Sequence, residues 1–123
     1  MTTKKTKAFV YGSLLSGLGN HDVLNGSKRI ARDVRTAPLF TMHAYCGGFP
    51  AVVGNGEHAI RGEVYEVDSD TLQRLDRLEG HPRFYRRTMT VIDGIGECWI
   101  YLLARCDAEV IENGDWRSYH EGN

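Results

Sequence analysis

Apolar and polar positions follow each other in short blocks along most of this chain, which is the pattern of strands rather than long helices. Ala8-Phe9-Val10-Tyr11 is an apolar run after a polar, basic start, and it predicts a first strand ended by Gly12. The residues after it include Gly17 and Gly19 and predict a loop with room for one helical turn. Asn20-His21-Asp22-Val23-Leu24 predicts a short helix capped by Asn20 and closed by Gly26. Between Arg29 and Tyr45 no clean period holds, and Pro38 either separates two strands or bends one. Cys46-Gly47-Gly48-Phe49-Pro50 predicts a tight loop, Ala51-Val52-Val53 a short strand, and Gly54-Asn55-Gly56 a turn with positive φ. Ile60 to Val67 alternates in part, with Arg61, Glu63 and Glu66 as its polar members. Gly62 within it predicts a bulge or the close approach of another backbone.

The rhythm changes once. Asp68 or Ser69 can cap a helix, Asp70 suits its positive end, and Leu72, Leu75 and Leu78 then recur as one buried stripe. Gln73, Arg74, Asp76 and Arg77 fall on the water side. Gly80 and Pro82 stop the helix, and Glu79 is left on its last turn. Tyr85 to Ile92 returns to strand, Asp93-Gly94-Ile95-Gly96 predicts a hairpin turn, and Glu97 to Leu103 is the most apolar strand and the predicted centre of the sheet. Asp107 to Asn123 predicts an irregular tail with Trp116 as its packing anchor. Strands in runs around one main helix predict an α+β domain with a mixed or antiparallel, barrel-like sheet, and 123 residues predict a single domain over residues 1–123.

Composition narrows the function. Net charge is −1 with no strongly basic half, which argues against nucleic acid as a partner. No apolar run is long enough to span a membrane, and no signal-peptide core follows the basic start, so the expected location is the cytoplasm. Cys46, Cys98 and Cys106 are too few and odd in number for a disulfide framework. His21, His43, His58, His81 and His120 lack metal-ligand spacing, so neither a metal nor a cofactor is expected.

Two stretches carry candidate chemistry. A glutamate at a helix end is ordinarily a solvated carboxylate. Here the negative end of the helix disfavours its charge, and it adjoins the buried stripe. Both effects raise its pKa toward the range of a general acid–base. The Gly12 to Gly19 loop is ordinarily a surface turn; its spacing matches neither a P-loop nor the dinucleotide fingerprint. It can still offer backbone N–H groups to a carboxylate or an oxyanion. Tyr85 and Trp99 suit the core or a pocket wall, and Arg86 and Arg87 a solvated face.

Taken in order, Val10-Tyr11-Gly12-Ser13-Leu14, Gly17, Asn20-His21, Phe49-Pro50-Ala51-Val52, Gly62 to Val67, Leu75 to Gly80, Tyr85-Arg86-Arg87 and Gly114-Asp115-Trp116-Arg117 resemble the gamma-glutamylcyclotransferase-like family, in particular its small single-domain members. The resemblance implies a barrel-like mixed sheet flanked by helices, a Tyr11–Leu14 loop that binds substrate through backbone amides, and Glu79 as catalytic acid–base. It implies release of 5-oxoproline and a free amine from a small gamma-glutamyl substrate. The candidate site is thus Glu79 with Tyr11, Gly12, Ser13, Leu14 and Tyr85 around the substrate. Two rivals stay open: a module of the same fold that binds an amino-acid-like ligand without turnover, and a hydrolase using Cys46.

Overall fold

The computed structural model describes residues 5–12, 14–45 and 49–121. Strand β1 (Lys5–Val10) is the middle strand of a five-stranded sheet. Its unbroken apolar end explains the position. Ala8 and Val10 enter one buried cluster and Phe9 another, and only a strand covered on both faces can use such a run. The order across the sheet is β2 (Lys28–Arg35), β5 (Arg61–Asp68), β1, β7 (Gly96–Leu102), β6 (Arg86–Ile92). β1 runs antiparallel to β5 and parallel to β7, so the sheet is mixed.

A smaller antiparallel sheet places β3 (Phe40–Tyr45) between β4 (Phe49–His58) and β8 (Glu109–Val110). It joins the larger sheet where Val53 bridges Leu103. The edges of the larger sheet meet at the isolated bridge Thr36–Ile92, without a continuous ladder. The sheet therefore curls but does not close, and the expected barrel-like form stops short of a barrel. Helix α1 (Ser69–Glu79), helix α2 (Trp116–Glu121) and a 3-10 turn (His21–Leu24) complete an α+β fold.

One face of the large sheet presents Ala8, Val10, Tyr65, Val67 and Tyr101 to Leu75 of α1 and to Leu14, Leu15 and Leu24. The other presents Phe9, Val64, Cys98 and Ile100 to Phe40 and Met42 of β3 and to Trp116 of α2. Pro38 does separate two strands, β2 and β3. The β6–β7 hairpin forms, pairing Ile92 with Gly96. β7 is interior, although β1 rather than β7 is the centre. Gly62 is a close approach: a β-carbon there would collide with the Val10 carbonyl oxygen and come within 2.7 Å of the Phe9 ring.

Three expectations are corrected. Gly54-Asn55-Gly56 is no positive-φ turn; it belongs to β4, where the register jumps from Thr41–Val53 to Phe40–His58. The extra residues bulge out and are tied by the Thr41 hydroxyl donating to Asn55 O at 2.9 Å. The tail after Asp107 is not irregular throughout, since it supplies β8 and α2. Asn20 occupies the cap position of the 3-10 turn but makes no side-chain cap bond. Of the loop predicted around residue 47, Cys46, Gly47 and Gly48 lie outside the described residues, while Phe49 and Pro50 open β4. Among the described residues, no helix is long and apolar enough to cross a membrane.

Candidate active site

The site begins with the geometry of α1. Asp68 caps the helix by accepting the Thr71 N–H at 2.8 Å. Leu72, Leu75 and Leu78 do not form one buried stripe. A step of three residues leaves each side chain about 60° behind the last, so such a stripe rotates off the core. Leu75 is buried, Leu72 half-buried, and Leu78 is 42% exposed. The inward line is instead Thr71, Leu75 and Glu79, spaced by four, of which the first two are buried. Glu79 therefore leaves α1 on its core side.

The chain then doubles back over it. Gly80 ends α1 with φ 68°, a conformation glycine adopts without strain. The His81 N–H reaches Asp76 O at 2.9 Å and the Gly80 N–H reaches Arg77 O at 3.3 Å, a Schellman stop. Next, the Phe84 N–H donates to Gly80 O at 2.8 Å and the Tyr85 N–H to Glu79 O at 3.1 Å, which sets the Tyr85 ring beside the carboxyl's own residue.

The early loop arrives from the end of β1. The Leu15 N–H closes a turn on Gly12 O at 2.9 Å, and His21 Nδ1 lies 2.9 Å from Leu14 O. Gly12 is packed against Pro50: a β-carbon would sit 2.7 Å from Pro50 Cγ, so no larger residue fits unless β4 moves. A cavity of about 290 Å³ lies between loop and helix end, and Tyr11, Gly12, Leu14, Glu79 and Tyr85 all line it. Ser13 lies outside the described residues. Five of the six candidate residues thus share one cavity.

Burial pushes the Glu79 carboxyl from 4.5 up to about 7. The Tyr11 phenol is also held well above its usual range, by burial first and then by the Glu79 charge. Both candidate tyrosines spend their hydroxyls on the walls. Tyr11 donates to Tyr101 O at 2.5 Å and Tyr85 to Pro50 O at 2.8 Å. They shape the cavity with their rings.

Asp76 and Arg87 were assigned to solvent by the sequence pattern, and this is corrected. Arg87 grips both Asp76 oxygens at 2.9 and 3.1 Å, stacks at 4.3 Å over Trp99, and Tyr101 donates to the same carboxylate at 2.7 Å. This bidentate pair ties α1 to the β6–β7 hairpin one turn from Glu79. Arg86 is exposed, as its pattern predicts.

Glu63 is the functional candidate that the sequence pattern hid. The pattern marks it only as a polar member of a partly alternating strand, yet it is buried, because β5 is covered on both faces. Its Oε1 accepts the Ser16 N–H and the Tyr65 hydroxyl, each at 2.9 Å. Arg117 of α2 donates to Ser16 O at 2.6 Å and lies 3.5 Å from Glu63 Oε2. Both polar groups of the Ser16 backbone are therefore held, a few residues past the cavity-lining loop. An acid set between Gly62, where another backbone comes close, and the apolar pair Val64-Tyr65 was the available signal.

Ser16, Glu63 and Arg117 also border a wider depression of about 710 Å³. Its charges are largely matched with each other: Arg61 with Asp33 at 2.6 Å and with Asp115 at 3.2 Å, Arg117 with Glu63. It is larger, but Glu79, whose carboxyl burial raises to about 7, lines the smaller cavity.

Two histidines serve the framework, His43 with its Nδ1 2.8 Å from Ala108 O and His81 with its Nδ1 accepting the Arg87 N–H at 3.0 Å. Among the described residues, no group of three or more His, Cys, Asp or Glu side chains is placed to hold a metal ion. Cys98 is buried and Cys106 half-buried, while Cys46 lies outside the described residues.

The chain is similar to known proteins in sequence and in fold. The sequence profile described as "Gamma-glutamyl cyclotransferase, AIG2-like" matches residues 8–118. A Methanocaldococcus jannaschii protein provisionally named a gamma-glutamylcyclotransferase is 42% identical, over 90% of this chain and 95% of its own. The Escherichia coli gamma-glutamylcyclotransferase family protein YtfP is 32% identical, over 89% and 95%. The crystal structure of a mouse AIG2-like protein superposes with a TM-score of 0.71 at 26% identity, covering 84% of this chain and 80% of that one. An uncharacterized Pyrococcus horikoshii protein shares the fold, with a TM-score of 0.80 over 96% and 98% of the two chains at 24% identity.

Proposed function

The chain belongs to the AIG2-like gamma-glutamyl cyclotransferase family, and on that premise we propose that it cyclises a gamma-glutamyl amide or peptide to 5-oxoproline, with Glu79 moving the protons. One observation carries the reading: a carboxyl held near pKa 7 by burial lines the same cavity as Tyr11, Gly12 and Leu14 of the early loop.

The substrate supplies its own nucleophile. Its α-amine attacks its γ-carbonyl carbon, so a ring C–N bond forms and the bond to the leaving amine breaks. The α-nitrogen gives up a proton and the leaving nitrogen takes one. A carboxylate with a pKa near the working pH can accept the first and deliver the second. No enzyme nucleophile is consumed: both reacting groups belong to the substrate, and the protein's part in the bond changes is the proton transfer by Glu79. The cavity's remaining task is to hold a folded substrate with amine and carbonyl in contact, which is where proximity lowers the barrier most. Backbone N–H groups of the Gly12–Leu14 segment would receive the substrate's negative oxygens, and the Tyr11 and Tyr85 rings would wall off water.

The test is 5-oxoproline release by the full chain from gamma-glutamyl peptides and gamma-glutamyl amines, compared with Glu79→Gln. Release by the wild type and its loss in a folded variant supports the reading. Equal release by both removes Glu79 from the mechanism.

A further inference from the structure

A bulge shapes the wider depression. β2 and β5 pair Ala31 with Val64 and then Val34 with Gly62, so Arg32 and Asp33 together stand opposite Glu63. In a regular strand these two neighbours would point to opposite faces, yet both line the same depression of about 710 Å³. Segments of β5, of the tail from Asp115 and of the early loop at Leu15 and Ser16 supply the rest of its lining. Every carboxylate oxygen there already holds a donor. Both oxygens of Asp33 accept from Arg61, and those of Asp115 accept from Arg61 and from the Ser118 N–H. Glu63 accepts the Ser16 N–H and the Tyr65 hydroxyl on one oxygen and meets Arg117 at 3.5 Å on the other. The donors are not used up in the same way. Arg61 serves both aspartates and Arg117 serves Glu63, which leaves Arg32 over. Arg32 is exposed and makes no hydrogen bond or ion pair within the described residues, and the hydroxyls of Ser16 and Ser118 are likewise unengaged.

A guanidinium with all its N–H groups free is a fork for a carboxylate or a phosphate. The depression is far larger than a bare ion and falls within the range of small-molecule pockets, so the oxyanion it suits belongs to an organic molecule. Its position gives it a route to the Glu79 cavity. Leu14 lines that cavity while Leu15 and Ser16 line the depression, so the early loop is the partition between the two. Arg117 holds the Ser16 carbonyl, and an oxyanion in the depression competes with that carbonyl for the same guanidinium. We propose that the depression is a second ligand site, for a small organic molecule whose phosphate or carboxylate group is taken by Arg32, and that its occupation is transmitted to the Ser16 backbone. The site is independent of the reaction assigned to Glu79.

The experiment follows the backbone amide signals of the full chain by NMR as inorganic phosphate or acetate is added at constant ionic strength, which removes general screening as a cause. Saturable shifts at Ser16, Arg32 and Ser118 are expected, with smaller ones reaching Leu14, and the tighter of the two anions identifies the headgroup. Arg32→Gln should weaken binding about tenfold or more, since it removes charge-assisted bonds. Arg32→Lys should restore part of the affinity. Arg32 is exposed, so both variants should keep the wild-type spectrum away from the depression. Shifts that grow linearly with either anion and never saturate overturn the site. So do saturable shifts that survive Arg32→Gln; if those centre on Gly12, the anion sits in the Glu79 cavity instead. Saturable binding at Arg32 that leaves the Ser16 amide unmoved overturns the link to the loop.

Discussion

Glu79 shows how one residue's chemistry follows from its place on a helix. Burial raises its folded pKa from 4.5 to about 7, so the neutral carboxyl is the form the fold favours. The stability this contributes is complete below about 4.5 and is lost as pH rises through about 7. Over that window wild type should lose about 3 kcal/mol relative to Glu79→Gln, whose neutral amide has nothing to ionise. Urea denaturation at pH 4.5 and pH 8 measures it; a variant no more stable than wild type at pH 8 would contradict the buried-carboxyl account. Catalysis should move the other way. A base must be ionised, so kcat/KM should climb with pH and level off above about 7, and Glu79→Gln should lower it roughly 10²–10⁴-fold. A pH–rate profile with its acid limb near 4.5 would assign the base to another group.

Elements act here as holders of two short segments. The Gly12 loop is pressed on β4, and the Ser16 backbone is held between Glu63 on β5 and Arg117 on α2. Gly12→Ala must push against the Pro50 ring, at a cost of about 1–3 kcal/mol, readable as a lower Tm. Glu63→Gln exchanges a charge-assisted bond to the loop for a neutral one, a loss of about 1–2 kcal/mol. If the loop grips substrate, KM for the best gamma-glutamyl compound should rise more than kcat falls. Equal loss in both, or a change in stability alone, would leave Glu63 a purely structural residue. The Asp76–Arg87 pair does the corresponding work for α1, fastening its last turn to the hairpin.

At the scale of the whole molecule, α1 is anchored to the sheet by the residue four before Glu79. Leu75 is wholly buried among Val10, Tyr65, Val67 and Tyr101. Leu75→Ala should cost about 2–5 kcal/mol. It should also depress turnover in the fraction that stays folded, because the helix that aims Glu79 loses its footing. Calorimetry combined with activity per folded molecule separates the two effects. Unchanged activity per folded molecule would show that the hairpin alone fixes the helix end.

The sequence by itself determined the features that depend on neighbours in the chain. The cap at Asp68, the stop at Gly80, the Pro38 break and the β6–β7 hairpin follow from local backbone preferences. The family, the α+β class and the exceptional position of Glu79 were legible for the same reason, since motif order and helix ends are written along one line. What only the tertiary structure decided is which polar residues leave water. Asp76, Arg87 and Glu63 alternate with apolar neighbours as solvent-facing residues do, but segments distant in the chain cover them and supply their partners. The same applies to the Gly54–Gly56 bulge, which the β3 pairings on either side of it hold within the strand, and to Leu78, which the helical twist turns away from the core to the cavity. Burial is a property of the packed whole, and no period read along one strand or helix reports which of its faces the rest of the chain will cover.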